Sequence, residues 1–140
     1  MTTLDDLLAK GLIEPVDADT AMSRQWLEDA GRHLQAAEAI ANIDPSGAYV
    51  LAYDAARKSV AAALLTTGHR VRSRPGSHQA IAQFAKELAK QTDEPMLGRL
   101  DRLRRDRNRS EYGSKSFGQA EIHEAIETAK AIRTTCSEFT

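Results

Sequence analysis

Residues 48–67 read AYVLAYDAARKSVAAALLTT, a run dominated by alanine and leucine. Arranged as a helix, this run places apolar side chains on nearly every side, so neighbouring elements must cover most of its surface. Its polar residues Asp54, Arg57 and Lys58 share one side, because their three- and four-residue spacing matches the turn of a helix. The stretch therefore predicts a central, largely buried helix with one polar side.

Helical spacing continues before this stretch. Residues 4–8 form a short amphipathic segment that ends at a break over residues 11–15, and the apolar residues of 22–40 then recur at three- and four-residue steps. Pro45 closes the next interruption and is acceptable only near a helix start. We expect a short helix, then a long first helix leading into the central one.

Helical spacing also continues after it. Glycine at both ends marks residues 68–76 as a loop, and Ser77 is expected to cap a third helix that ends before Pro95. Pro95 fits the first turn of a fourth helix, and a last helix covers residues 122–139. The sequence predicts an all-α, antiparallel up-and-down bundle of four main helices plus one short helix, with residues 1–18 as an N-terminal extension and residues 19–140 as the bundle.

Composition excludes several classes of protein. The chain of 140 residues has the size of one domain and contains a single cysteine, Cys136, so an intrachain disulfide is impossible and a reducing compartment fits. The N-terminus lacks the pattern of a secretory signal, and no apolar run is long enough to span a bilayer. We expect a cytoplasmic protein without membrane contact.

Charge is distributed unevenly along the chain. The net charge is −1, but residues 68–116 carry 12 basic and 6 acidic groups. This excess lies in the loop arginines Arg70, Arg72 and Arg74 and in the fourth helix, where residues 99–109 include six arginines. Such a segment attracts phosphate or an acidic partner, although a solvated charged face is the simpler explanation.

One arginine of the fourth helix stands apart from the others. Arg107 follows Leu100 and Leu103 at helical spacing, so it is expected on the face that the bundle buries. A buried guanidinium needs a carboxylate, carbonyl groups or a water-filled cleft. Pairing with Glu111 or Asp54 as an interior strut is one interpretation, and a polar site that receives a ligand is the other.

The sequence around Arg107 also resembles a known family. Residues 107–113, RNRSEYG, are similar to the motif of HEPN domains, small all-helical domains of RNases, toxins and partners of nucleotidyltransferases. The central-helix residues 48–57, the Gly68-His-Arg loop and the Ser77-His78 pair agree with it, so the similarity covers residues 20–138. The resemblance implies a homodimer in which two copies face each other across one RNA-cleaving site.

The motif departs from that of the nuclease members at one position. There, a histidine follows the arginine a few residues later, whereas this chain has Tyr112 at that place and no histidine between Asp101 and Ile122. Tyrosine is mostly protonated near neutral pH and is a poor base. A metal-independent endoribonuclease would therefore lack its proton-transfer group, and we expect nuclease activity to be absent or residual.

The resulting functional prediction is binding of RNA or a nucleotide in a homodimer cleft. The best candidates for any catalytic role are Arg107, Asn108 and Tyr112, and the expected binding residues are Arg104, Arg107, Asn108, Tyr112, Arg70, Arg72 and Arg74. Only Tyr112 and Phe117 are expected to be free for stacking on bases, because the other aromatic residues have core spacing. Recognition would then rest mainly on phosphates.

Other functions remain open. The chain can instead be an interaction subunit of a toxin–antitoxin pair or of an adjacent nucleotidyltransferase, with Tyr112 as a speculative site of modification. DNA binding rests only on the basic central segment and ranks lower. No metal or cofactor is predicted, since His33, His69, His78 and His123 lack the spacing of a zinc pair and the loop of residues 68–76 lacks the lysine of a nucleotide-phosphate loop.

Overall fold

The computed structural model describes residues 3–140 and confirms the all-α fold. The helices alternate with short connections, and the fourth helix is preceded by a turn of 3₁₀ helix, Pro95–Arg99. The six α-helices are α1 (Thr3–Ala9), α2 (Thr20–Ile40), α3 (Pro45–Thr66), α4 (Ser77–Thr92), α5 (Leu100–Glu111) and α6 (Gln119–Ser137). Within residues 3–140, no helix has both the length and the apolar character of a membrane span.

Helix α3 is the centre of the bundle, as its composition predicts. It packs against α2, α4, α5 and α6, and its alanines and leucines are almost completely buried. Its start is fixed by Asp44, whose side chain accepts a hydrogen bond of 3.0 Å from the backbone N–H of Gly47, with Pro45 in the first turn. Helix α3 therefore offers these four helices a common surface.

Two short strands were not expected from the sequence. Strand β1 (Ile13–Pro15) pairs antiparallel with strand β2 (His69–Val71), with Ile13 opposite Val71. The predicted break at residues 11–15 and the predicted loop at residues 68–76 are thus partly strand. Three-residue strands are too short to show alternation, and their partners lie far apart in sequence.

The N-terminal segment contributes to the same core as the bundle. Leu7 and Ile13 are each 1% exposed and belong to the hydrophobic cluster that includes α3. Residues 1 and 2 of the predicted N-terminal extension lie outside the described residues. The segment from α1 to β1 therefore closes one side of the core.

Two local predictions about helix starts were wrong. Gly76, with a positive φ of 92°, is the residue before α4, so Ser77 is the first helical residue and does not cap the helix with its side chain. The fourth helix does not begin as α-helix at Pro95, because the 3₁₀ turn precedes Leu100. The first residue of each of these two helices depends on backbone geometry that residue types alone do not determine.

Two predictions about aromatic side chains also need correction. Phe117 is only 8% exposed and stacks on Tyr49 with 4.0 Å between the ring centroids, so it is not free to stack on a base. Phe139, which has core spacing, is instead 41% exposed because α6 ends two residues before it. Of the two expected stackers, Tyr112 is the exposed one.

Candidate phosphate-binding site

The arginines of α5 divide into two groups. Because Leu100 and Leu103 are buried, the residues that follow them on the same side are drawn toward the bundle. The side chains of Arg104 and Arg107 are 16% and 25% exposed, whereas the other arginines of residues 99–109 are largely in solvent. The side chains of Arg104 and Arg107 are therefore partly buried against the bundle.

Arg107 has several partners and one unused donor. Its Nη2 lies 3.2 Å from an oxygen of Glu111, and its Nη1 donates a hydrogen bond of 3.2 Å to Oδ1 of Asn108. Its Cζ lies 5.9 Å from the centroid of the Tyr53 ring, within the range of a cation–π contact. Its Nε is buried and has no hydrogen-bond partner among the described residues. Of the two carboxylates considered from the sequence, Glu111 is the one that pairs with it.

A histidine from another helix reaches the same tyrosine. The hydroxyl of Tyr53 on α3 and Nδ1 of His78 on α4 are 2.7 Å apart, which is a hydrogen bond. The Tyr53 side chain is buried, whereas His78 is exposed except where its tilted ring packs against Tyr53 and is partly shielded from water. Tyr53 therefore connects α4 to α5, since His78 and Arg107 both contact it.

A second half-buried arginine lies on α3. Nη2 of Arg57 lies 3.6 Å from an oxygen of Asp54, one turn earlier on the helix. Like that of Arg107, the Nε of Arg57 is buried without a hydrogen-bond partner in residues 3–140. An N–H group that gives up its water and finds no acceptor costs free energy. Because the Nε is enclosed, a bound anion would contact the exposed part of this side chain, which is 25% exposed.

Burial and the nearby arginines shift the pKa values of the titratable groups in this cluster. Burial lowers the pKa of His78, the nearby positive charges of Arg57, Arg107 and Arg104 lower it further, and only Asp54 opposes them. Burial also raises the pKa of Tyr53 to about 12. Near neutral pH, His78 is therefore neutral and Tyr53 protonated. Each arginine lies beside one carboxylate: Arg57 beside Asp54, Arg104 beside Asp101 at 2.9 Å, and Arg107 beside Glu111.

The other predicted binding residues lie elsewhere on the molecule. Tyr112 is 87% exposed at the end of α5, where its side chain stands in solvent. On β2 and just after it, Arg70 and Arg72 lie 2.7 Å and 3.6 Å from oxygens of Glu14 on β1, and Arg74 is exposed. Glu14 therefore forms ion pairs with two of the three loop arginines.

Three residues of the cluster were not predicted as site residues. Tyr53 was expected in the core, Arg57 on a polar side of α3, and His78 at the opening of the third helix. The four-residue step from Tyr53 to Arg57 places both on one side of a helix, and this was the available signal. These residues lie near Arg107 because α3, α4 and α5 pack against one another.

Comparison with known proteins gives one match. The family model described as HEPN domain matches residues 23–139, which is most of the chain. Neither a curated protein nor a solved structure matches the chain. The matched range includes every helix of the cluster around Tyr53.

Proposed function

Because the chain belongs to the HEPN domain family, we propose that it binds RNA through its phosphates. The family covers nucleases, RNA-binding proteins and proteins of toxin–antitoxin systems. In this proposal Arg107 and Asn108 of α5 hold a phosphate together with Arg57 and His78 from the two adjacent helices. The observation that carries it is the convergence of two partly exposed guanidinium groups, those of Arg57 and Arg107, on His78. Guanidinium groups bind phosphate oxygens with several donors at once, which makes these contacts strong.

The same site is expected to bind RNA better than it cleaves it. Tyr112 replaces the histidine of the motif, and a protonated tyrosine accepts a proton poorly. With Tyr112 87% exposed, its hydroxyl is also outside the half-buried cluster around Arg107. Metal-independent cleavage is therefore absent or slow in this proposal, and binding is the main activity.

The experiment measures the affinity for a labelled single-stranded RNA by fluorescence anisotropy, with chelator present. Arg107→Ala should weaken binding about tenfold or more, because the variant has no guanidinium to donate charged hydrogen bonds to the phosphate. Arg32→Ala is the control, since Arg32 lies on α2 with its side chain 63% exposed. Equal affinities for the wild type and Arg107→Ala would refute the proposal. Gel analysis of the same samples shows whether any RNA is cleaved.

The exposure of Tyr112 favours a second candidate function. A tyrosine hydroxyl that stands in solvent is accessible to another enzyme, and the resemblance associates this region of the motif with modification by a nucleotidyltransferase. In this alternative, the chain is the partner subunit and Tyr112 receives a nucleotidyl group. Intact mass after co-expression with an adjacent nucleotidyltransferase tests it, with Tyr112→Phe as control. An unchanged mass without co-purification would exclude it.

A further inference from the structure

A cavity that borders Arg57 lies between α2, α3, β2 and the start of α4. It has a volume of about 340 Å³, which is within the range of small-molecule sites. On the α3 side of the cavity, Ala61 and Leu64 follow Arg57 at helical spacing. This side therefore changes from cationic to apolar over a length of about 10 Å along the helix axis.

The other walls of this cavity extend the apolar surface. Trp26 on α2, Val71 on β2 and Ile81 on α4 line it together with Ala61 and Leu64. Four of these five side chains have no polar atom, and Trp26 has only its indole N–H. A ligand with hydroxyl groups or ring nitrogens would find few side-chain partners here, and unpaired polar groups cost free energy. The surface therefore suits a hydrocarbon chain.

The charged residues that line the cavity are paired with one exception. Three of them have an ion-pair partner: Arg57 has Asp54, Arg70 has Glu14 and Asp29 has Arg32. Within residues 3–140 the fourth, Lys58, forms no ion pair, and its Nζ lies 2.8 Å from Nε2 of His33, which is a hydrogen bond to an imidazole. The cavity therefore has one positive charge without a counter-ion, and a ligand with a single negative charge would balance it.

Lys58 can bind such a ligand and keep its contact with His33. Burial and the charge of Lys58 lower the pKa of His33, so the imidazole is neutral near pH 7 and accepts a hydrogen bond from the ammonium. An ammonium group has three N–H donors, so the bond to His33 leaves two for a carboxylate. A carboxylate beside Lys58 and Arg57 would accept charge-assisted hydrogen bonds, which are among the stronger ones.

We propose that this cavity binds a linear monocarboxylate of about eight carbons, with the carboxylate at Lys58 and Arg57 and the chain between Trp26 and Leu64. An extended chain of this size matches the distance of about 10 Å between the cationic and the apolar end of the α3 side. The cavity includes neither Arg107 nor Asn108. The inference therefore does not depend on the binding of RNA by the α5 motif.

The single tryptophan makes the test direct, because intrinsic fluorescence then reports on Trp26 alone. The wild-type protein is titrated with octanoate below its micelle-forming concentration, and a saturable change in fluorescence is expected. Two analogues each lack one feature of octanoate, since 1-octanol has no charge and acetate has no chain. Each should bind about tenfold more weakly or worse. A change that does not saturate, or equal affinities for octanoate and either analogue, would overturn the proposal.

Variants test the position of the carboxylate. Lys58→Gln should weaken the binding of octanoate about tenfold and leave that of 1-octanol unchanged, because only the charged contact is lost. Lys58→Arg keeps the charge and should bind octanoate nearly as the wild type does. Lys90→Gln is the control, since Lys90 lies on α4 outside the cavity with its side chain 78% exposed.

Two outcomes with these variants would also overturn the proposal. If Lys58→Gln bound octanoate as tightly as the wild type, the carboxylate would not lie at Lys58. If Lys90→Gln lost as much affinity as Lys58→Gln, octanoate would respond only to the overall charge of the protein. Circular dichroism confirms that each variant is folded, and the comparison of the three ligands on the wild type needs no variant.

Discussion

His78 is the residue whose titration should respond most directly to phosphate. Burial and three arginines hold its pKa below the usual value, so the imidazole is neutral near pH 7. A phosphate bound beside it adds negative charge, favours the imidazolium and raises that pKa. By linkage, an RNA phosphodiester, whose own charge does not change near neutral pH, should bind more tightly as the pH falls through the raised pKa of His78.

Nuclear magnetic resonance measures this effect on the histidine ring signals. Titrations with and without inorganic phosphate should show a higher pKa for His78 when phosphate is present. The ring signals of His123, an exposed residue on α6, are recorded in the same spectra as a reference. A titration curve of His78 that does not change with phosphate would remove His78 from the proposed site.

The residues of the site were only partly predictable from the sequence. The placement of Arg107 followed from the leucine stripe, because Leu100 and Leu103 fix which side of α5 is buried. The contact of His78 with Tyr53 was not predictable, because it joins residues 25 positions apart on different helices. Spacing within one helix determines its faces, whereas the partners of those faces are set by tertiary packing.

Helix α5 presents two kinds of arginine to RNA, and salt should distinguish them. The exposed arginines Arg102, Arg105 and Arg109 have surface ion pairs, which contribute little and are screened by salt. Replacing all three by glutamine should lower the slope of log affinity against log salt by about 0.7 for each phosphate that the variant no longer neutralises. At high salt, this variant should bind nearly as well as the wild type.

Arg107→Ala should behave differently, since half-buried charges are screened less. Its binding should remain weaker than that of the wild type at every salt concentration. Anisotropy titrations over a series of salt concentrations check both variants. If the triple variant and Arg107→Ala gave parallel lines, the division of α5 into exposed and half-buried arginines would have no functional meaning.

The strand pair contributes to stability although the sequence did not predict it. Ile13 on β1 is 1% exposed and packs in the core cluster. Ile13→Ala should lower the free energy of unfolding by about 2–5 kcal/mol, because apolar packing is removed and a cavity is left behind. Urea denaturation measures the change, with the exposed Asp17→Ala as control. A decrease below about 0.5 kcal/mol, the size of an ordinary surface effect, would show that this segment is not part of the folded unit.

Long elements were predicted well and short ones poorly, for a physical reason. Helices α2, α3 and α6 each have five or more turns, and all three were predicted. The signal was apolar periodicity in α2 and α6, and a long, almost wholly apolar run in α3. The strands β1 and β2 have three residues each and exist because distant segments pair. The local sequence therefore shows where a long helix lies but gives almost no sign of a strand that forms only by pairing with a distant segment.

One side of α5 exposes a row of arginines, and this is the side that we propose to meet RNA or a second copy. Helix α5 packs on α3 and α4 with its buried side, which leaves the side of Arg102, Arg105 and Arg109 open to solvent. Tyr112 stands at the end of this helix, also in solvent. HEPN domains often form dimers. We propose a two-fold dimer through α5 in which Tyr112 of one copy approaches the Arg107 cluster of the other.

Mixing two inactive variants tests whether the site is shared between copies. If each RNA site combines Arg107 of one copy with Tyr112 of the other, Arg107→Ala and Tyr112→Ala should each bind poorly alone. After subunit exchange at equal concentrations, about a quarter of all sites should be intact, because half of the dimers are mixed and each has one complete site. Anisotropy at saturating RNA measures the restored fraction, and sedimentation equilibrium confirms that dimers are present. The control pairs Arg107→Ala with the double variant lacking both side chains, which contains no complete site in any combination. A mixture that binds no more RNA than its separate components would place the whole site within a single chain.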